Sequence, residues 1–215
     1  MATDARSKPQ LYLVRHGETQ WSLSGQHTGR TDISLTAHGR AEAHRVGTML
    51  AGRSFDLVLT SPLERARETA QLAGYGEVAR VAKSLREWDY GDYEGRSTDE
   101  IRREVPGWVI WEGPVPGGES LEEVGARADR VIRECREAGG DVLLFAHGHI
   151  LRILTARWCG LGPIEGRRFL LETATLTVLA WEHDYTGVRV FNQRGLRSES
   201  VPAAAPGQPR RPDPA

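Results

Sequence analysis

Leu11-Tyr12-Leu13-Val14-Arg15-His16-Gly17 is the stretch that decides the fold. A short apolar run ends in a fixed cation, an imidazole and a residue with no side chain, and Glu18-Thr19 follow. An apolar run of this length reads as a buried strand. Ligands of open α/β sheets bind beyond the carboxyl ends of the strands. Arg and His at that position suit an anionic ligand. Two further stretches repeat the design. Ser61-Pro62-Leu63-Glu64-Arg65-Ala66-Arg67 follows Leu57-Val58-Leu59, and Ala146-His147-Gly148-His149 follows Val142-Leu143-Leu144-Phe145. Three strand ends therefore deliver Arg-His, Arg and His.

The segments between these strands read mainly as helices. Thr36 is an expected N-cap for a helix to about Ala51, stopped by Gly52. Ser61-Pro62-Leu63-Glu64 has the form of a capping box with Pro at the first helical position. It predicts a helix ending at Gly74, with Arg65 in a first turn that favours an anion. Glu77–Ala82 is a weak strand candidate. A short helix is expected near Thr98–Glu104, and the stretch holding Trp108 and Trp111 reads as a flap over the pocket. Ser120-Leu121-Glu122-Glu123 is a second capping box. Leu121, Val124, Ala128, Val131, Ile132 and Cys135 then keep helical spacing. A helix is expected from about Ile150 to Gly160, and strands at Leu176–Trp181 and Val188–Phe191. Strands alternating with helices imply a three-layer α/β/α sandwich with a mostly parallel sheet. Thr19–Thr31, rich in Gly, Ser, Thr and Gln, reads as a loop long enough to wrap a site.

The chain has 215 residues and a formal net charge of −1. This length suits one α/β domain, and the charge balance offers no global attraction to nucleic acid or anionic membrane. The polar stretch Met1–Gln10 shows no signal peptide, and no apolar span is long enough for a membrane helix. A cytoplasmic protein is the resulting expectation. Residues 1–197 are expected to form the domain, and the Pro- and Ala-rich stretch 198–215 a disordered tail. Cys135 and Cys159 sit in apolar helical contexts and read as small buried hydrophobes.

Arg15-His16-Gly17-Glu18-Thr19, Leu35-Thr36…Gly39, Ser61-Pro62-Leu63-Glu64-Arg65-Ala66, Glu87…Tyr90-Gly91 and His147-Gly148 occur in the order found in the histidine phosphatase superfamily. The chain resembles this phosphoglycerate mutase-like family from about Leu11 to about Trp181. The strings from Trp21 to Gly29, Arg86 to Gly95 and Phe145 to His149 look like its subgroup of sedoheptulose-bisphosphatase-like and acid phosphatases.

The resemblance implies a phosphatase that hydrolyses phosphate monoesters, such as sugar phosphates or other small phosphometabolites, through a phosphohistidine intermediate. It implies no cofactor and no metal. His16 would be the nucleophile, which requires a neutral ring whose other nitrogen donates, for instance to a backbone carbonyl. Arg15 and Arg65 would clamp the equatorial oxygens. His147 would donate as charge builds. Glu87 would be the general acid and then the base that activates water, with Asp89 and Glu94 as weaker candidates. Gly17 and Gly148 would let backbone approach the anion. Thr28, Gly29, Tyr90 and Arg152 would contact substrate, Arg152 holding a second phosphate or a hydroxyl-rich sugar. Gly148 would also contact substrate, as would Ser22, which stands where the mutases carry Asn.

Two rival functions are a 2,3-bisphosphoglycerate-dependent phosphoglycerate mutase and a non-catalytic phospho-ligand binding module. The long basic insertion of the mutases is not recognisable between Gly91 and Gly118. His147-Gly148-His149 also has metal-ligand spacing on a strand, but no carboxylate follows it. The remaining histidines, His38, His44 and His183, read as surface residues, and His27 is left unassigned. The sequence leaves oligomeric state open, a homodimer included.

Overall fold

The computed structural model describes residues 8–195. The expected tail, 198–215, lies outside them. In chain order the elements are β1 (Leu11–Arg15), α1 (Gln20–Ser24), α2 (Ala37–Leu50), β2 (Leu57–Thr60), α3 (Glu64–Leu72), β3 (Arg80–Val81), α4 (Thr98–Glu104), α5 (Leu121–Glu137), β4 (Val142–Ala146), α6 (Gly148–Trp158), β5 (Leu176–Glu182) and β6 (Tyr185–Gln193). The sheet order is β3-β2-β4-β1-β5-β6. β3, β2, β4 and β1 are mutually parallel, and β5 runs antiparallel to both β1 and β6. The expected mostly parallel sheet is therefore present.

Alternation along the strands makes three layers. Leu11, Leu13, Leu59, Val142 and Leu144 face one core with Val124, Val131, Ile150 and Leu154 of α5 and α6. Tyr12, Val14, Val58, Leu143 and Phe145 face the other with Val46 and Leu50 of α2 and Ala70 of α3. Because successive strand residues point to opposite faces, continuously apolar strands are what a sheet covered on both sides requires.

Several local expectations are corrected. The capping box at Ser61 does not form, and Pro62 is not the first helical residue. α3 starts at Glu64, its N-cap Leu63 gives no side-chain cap, and the Glu64 N–H donates instead to Asp32 Oδ1 at 2.6 Å. Ser61 Oγ is engaged elsewhere, by Leu63 N and His147. The expected loop at Thr19–Thr31 contains α1, capped reciprocally by Thr19 and Ser22. The strand candidate at Glu77–Ala82 shrinks to β3. The Trp108 stretch is no flap: Trp108 and Ile110 are buried in the core on the α5–α6 side of the sheet. α6 begins at Gly148, earlier than expected.

Gly17 has no room for a side chain. A Cβ there would lie 2.4 Å from the Gly39 carbonyl oxygen, so the glycine serves the contact of β1's end with α2 rather than approach to an anion. At Gly148 a Cβ would meet Arg15 at 3.5 Å, an ordinary contact. Gly17→Ala should therefore destabilise the fold by about 2–3 kcal/mol, and Gly148→Ala should change stability by less than about 1 kcal/mol. Urea midpoints of the two variants check this pair.

Candidate active site

The ends of β1, β2 and β4 lie side by side because β4 pairs in parallel register with both neighbours. They bring Arg15, His16, Ser61, Arg65 and His147 into one place. The His16 and His147 rings are 5.2 Å apart, centre to centre. His147 Nδ1 accepts from Arg65 Nε at 3.1 Å, so its proton sits on Nε2 and is shared with Ser61 Oγ at 2.7 Å.

His16 has its backbone and ring fixed separately. Its N–H donates to the Ala146 carbonyl and its own carbonyl accepts from Ala174 N. Nδ1 lies 2.7 Å from the Gly17 carbonyl, which can only accept, so Nδ1 carries the proton and Nε2 keeps its lone pair. Burial, then the charges of Arg65 and Arg15, push His16 far below its ordinary value of 6.5. His147 is lowered in the same way by burial and by Arg65. Both rings are neutral at physiological pH.

The four expected core residues differ in what they offer a ligand. Arg15 and His16 line a cavity of about 190 Å³ together with Glu87, Tyr90, Gly148 and Arg152. Arg15 Nε is buried with no partner in the protein. Arg65 and His147 are fully buried and sit behind this cavity. Arg65 Nη2 donates to the Thr28 and Gly29 carbonyls, and Nη1 to that of Thr31, leaving one Nη1 hydrogen unassigned.

Glu87 comes from the loop before Trp88. Its Oε1 accepts from the N–H groups of Trp88 and Ile150, and Oε2 from that of His149, each at 2.9 Å. Glu87 thus caps α6 from outside, where free N–H groups and the helix dipole favour a carboxylate oxygen. Asp89 accepts from Gly91 N and pairs with Arg30. Glu94 accepts from Gly29 N and Thr31 N. Neither lines the cavity.

The outer side of the cavity holds the remaining residues. Tyr90 OH is 2.7 Å from His149 Nδ1. Arg152 stacks on Trp111 at 4.6 Å and donates from Nε and Nη2 to the Gly166 and Arg167 carbonyls, which leaves Nη1 unassigned. Thr28 lines the cavity and bonds the Gln26 carbonyl. Ser22 lines it too, but its hydroxyl is engaged with Thr19 N and O in the cap of α1. Gly29 is a correction: it is not on this cavity, its N–H is held by Glu94, and a Cβ would lie 2.6 Å from the Trp88 carbonyl.

The His-x-His reading is also corrected. β4 ends at Ala146, His147 is the N-cap of α6 and His149 lies inside that helix, so the two imidazoles are not on a strand. Among the described residues no group of three His, Cys, Asp or Glu side chains could hold a metal ion. His27 belongs to the site, which its sequence context left undecided. It lines the cavity, packs on Tyr90 at 4.7 Å and on Trp108 at 5.4 Å, and is lowered to about 4 by burial. Its place in a Gly- and Thr-rich loop was the available signal.

A family model described as histidine phosphatase superfamily (branch 1) matches residues 11–194. An acid phosphatase of Mycobacterium tuberculosis is 42% identical over 199 residues, 91% of this chain and 96% of its own length. A sedoheptulose 1,7-bisphosphatase of Saccharomyces cerevisiae is 37% identical over 187 residues, 72% of this chain and 69% of its own. The solved structure of an open reading frame product from Mycobacterium tuberculosis superposes with a TM-score of 0.83 at 40% identity, covering 87% of this chain and 99% of that one.

His16, His27, His147 and His149 all hold folded-state values below 6.5. Below pH 6.5 the unfolded chain takes up protons on these rings and the folded chain does not. Stability is therefore complete above 6.5 and is lost as pH falls, by up to about 1.4 kcal/mol per ring and pH unit. Urea midpoints should be flat from pH 8 to 7 and drop steeply from 6.5 to 5. A flat profile across that lower window would mean that the rings protonate in place.

Proposed function

This chain belongs to the histidine phosphatase superfamily, and from that premise we propose that it hydrolyses phosphate monoesters of small metabolites by way of a phosphohistidine. The observation that carries the reading is the His16 ring: neutral, with its proton held on Nδ1 by the Gly17 carbonyl, in a cavity that also presents a guanidinium and a carboxylate.

In the first step His16 Nε2 attacks phosphorus in line, the P–N bond forms and the P–O bond to the leaving group breaks. Glu87, in its acid form, gives that oxygen a proton. In the second step the Glu87 carboxylate takes a proton from water, the P–O bond to water forms, and P–N cleavage returns His16 and phosphate. Arg15, on the cavity wall, offers its guanidinium to the equatorial oxygens, where a planar group holds a phosphoryl group best, and Arg65 adds its positive charge from behind the cavity. His147 contributes through Arg65, whose Nε it fixes, while its own Nε2–H is held by Ser61.

The leaving group lies toward Tyr90, His27, His149 and Arg152. The free Nη1 end of Arg152 suits a second phosphate or a polyhydroxylated chain, which favours sugar phosphates. Gly91–Gly118 supports hydrolysis over mutase activity. This segment forms α4 and turns that pack into the core through Ile101, Trp108 and Ile110, rather than an enclosure over the cavity. Water then reaches the phosphohistidine.

On a panel of phosphorylated metabolites the wild type should release phosphate, and His16→Ala should lose at least about 10³-fold. Equal release by both would remove His16 from the reaction. With 3-phosphoglycerate, formation of 2-phosphoglycerate without phosphate would favour the mutase instead. Glu87→Gln should lower kcat/KM for an alkyl phosphate about 10²-fold or more. For p-nitrophenyl phosphate, whose leaving group needs no proton, the loss should be much smaller. An equal loss on both esters would argue against the acid role.

A further inference from the structure

Arg127 has no part in the chemistry proposed above, yet it is one of the most fully engaged side chains in the protein. It lies on α5, 5% exposed, and all its N–H donors are used. Nη1 donates to the carbonyls of Ser84 at 2.9 Å and Arg86 at 2.7 Å. Nη2 donates to the Glu87 carbonyl at 3.2 Å. Nε and Nη2 grip both carboxylate oxygens of Glu119, at 2.8 and 2.7 Å.

Glu119 extends the clamp. Its Oε2 accepts from Asp89 N, its carbonyl accepts from Trp88 Nε1, and its N–H donates to the Asp89 carbonyl. The backbone on both sides of Glu87 is thus tied to one ion pair, of which Arg127 is buried and Glu119 half-buried. The Glu87 side chain is tied to a different element, the N-terminus of α6.

We infer that Arg127, with Glu119, is a positioning residue for the proposed general acid, setting where the Glu87 carboxyl stands relative to the leaving oxygen. The inference rests on Glu87 being that acid. Only a planar fork with five donors reaches three carbonyls and a carboxylate together, so Lys would not replace it. The phosphoryl subsite has its own direct supports: Arg15, His16 and Arg65 are held by β1, α3 and the carbonyls of Thr28, Gly29 and Thr31, none of which bonds Arg127 or Glu119. Loss of the clamp should therefore weaken protonation of the leaving group and spare phosphate binding.

The test is kcat/KM for glycerol phosphate and p-nitrophenyl phosphate, with competitive inhibition by inorganic phosphate measured alongside. Arg127→Met should lose at least about tenfold on glycerol phosphate and no more than about threefold on p-nitrophenyl phosphate, with the inhibition constant within about twofold of wild type. Glu119→Gln, which keeps the volume, should show the same split to a smaller degree and carries the test if Arg127→Met does not fold. Equal losses on the two esters, or wild-type rates in both variants, would overturn the inference. Glu87→Gln separates the two claims. If it shows no split, the acid assignment fails; if it does and the clamp variants do not, only the positioning role fails.

Discussion

The adjacency of β2, β4 and β1 is the constraint on which the site depends. Parallel pairing with β4 at the centre puts three carboxyl ends at one edge of the sheet. Residues separated by about half the described chain then touch, as Arg65 and His147 do. Parallel strands need crossovers, and here the crossovers are the helices that cover both faces. The same burial that stabilises the sheet makes the strand ends dry, which is where electrostatic interactions are strongest.

Dryness creates a difficulty that the local structure resolves. Two guanidinium groups enter a region with little water, and a third cation would add repulsion. The imidazoles remain neutral because burial first, and the guanidinium charges second, disfavour their protonated forms. Arg65 recovers its lost hydration from the carbonyls of Thr28, Gly29 and Thr31 and from His147. Arg15 is less fully compensated, since its buried Nε has no protein partner. A buried donor without a protein partner is unfavourable until it meets an acceptor, so this corner of the site favours an anion.

The other side of the cavity is assembled differently. It depends on a loop, and loops need outside ties to hold a geometry. Glu87 has two such ties: its side chain caps α6, and its backbone belongs to the Arg127–Glu119 clamp. Tyr90 is fixed by His149, and Arg152 by Trp111 and two carbonyls. One side of the cavity is built on strand ends and the other on a braced loop, so the two can vary independently on one fold.

Much of this was legible in the chain itself. Apolar runs fixed as strands, helical spacing on α5, and the cap at Thr36 are local properties, set by hydrophobic periodicity and backbone hydrogen bonding within a few residues. The residues at the strand ends were legible for the same reason. The Ser61 box was misread because a helix cap can come from a distant residue: Asp32 supplied it, and Ser61 went to His147. Gly29 and Trp108 were misplaced likewise, their roles being set by Glu94 and by the core. Local sequence determines which elements form and which groups they carry. Only tertiary structure decides which donors are already used and which still face the cavity, because a hydrogen bond depends on distances that no spacing along the chain contains.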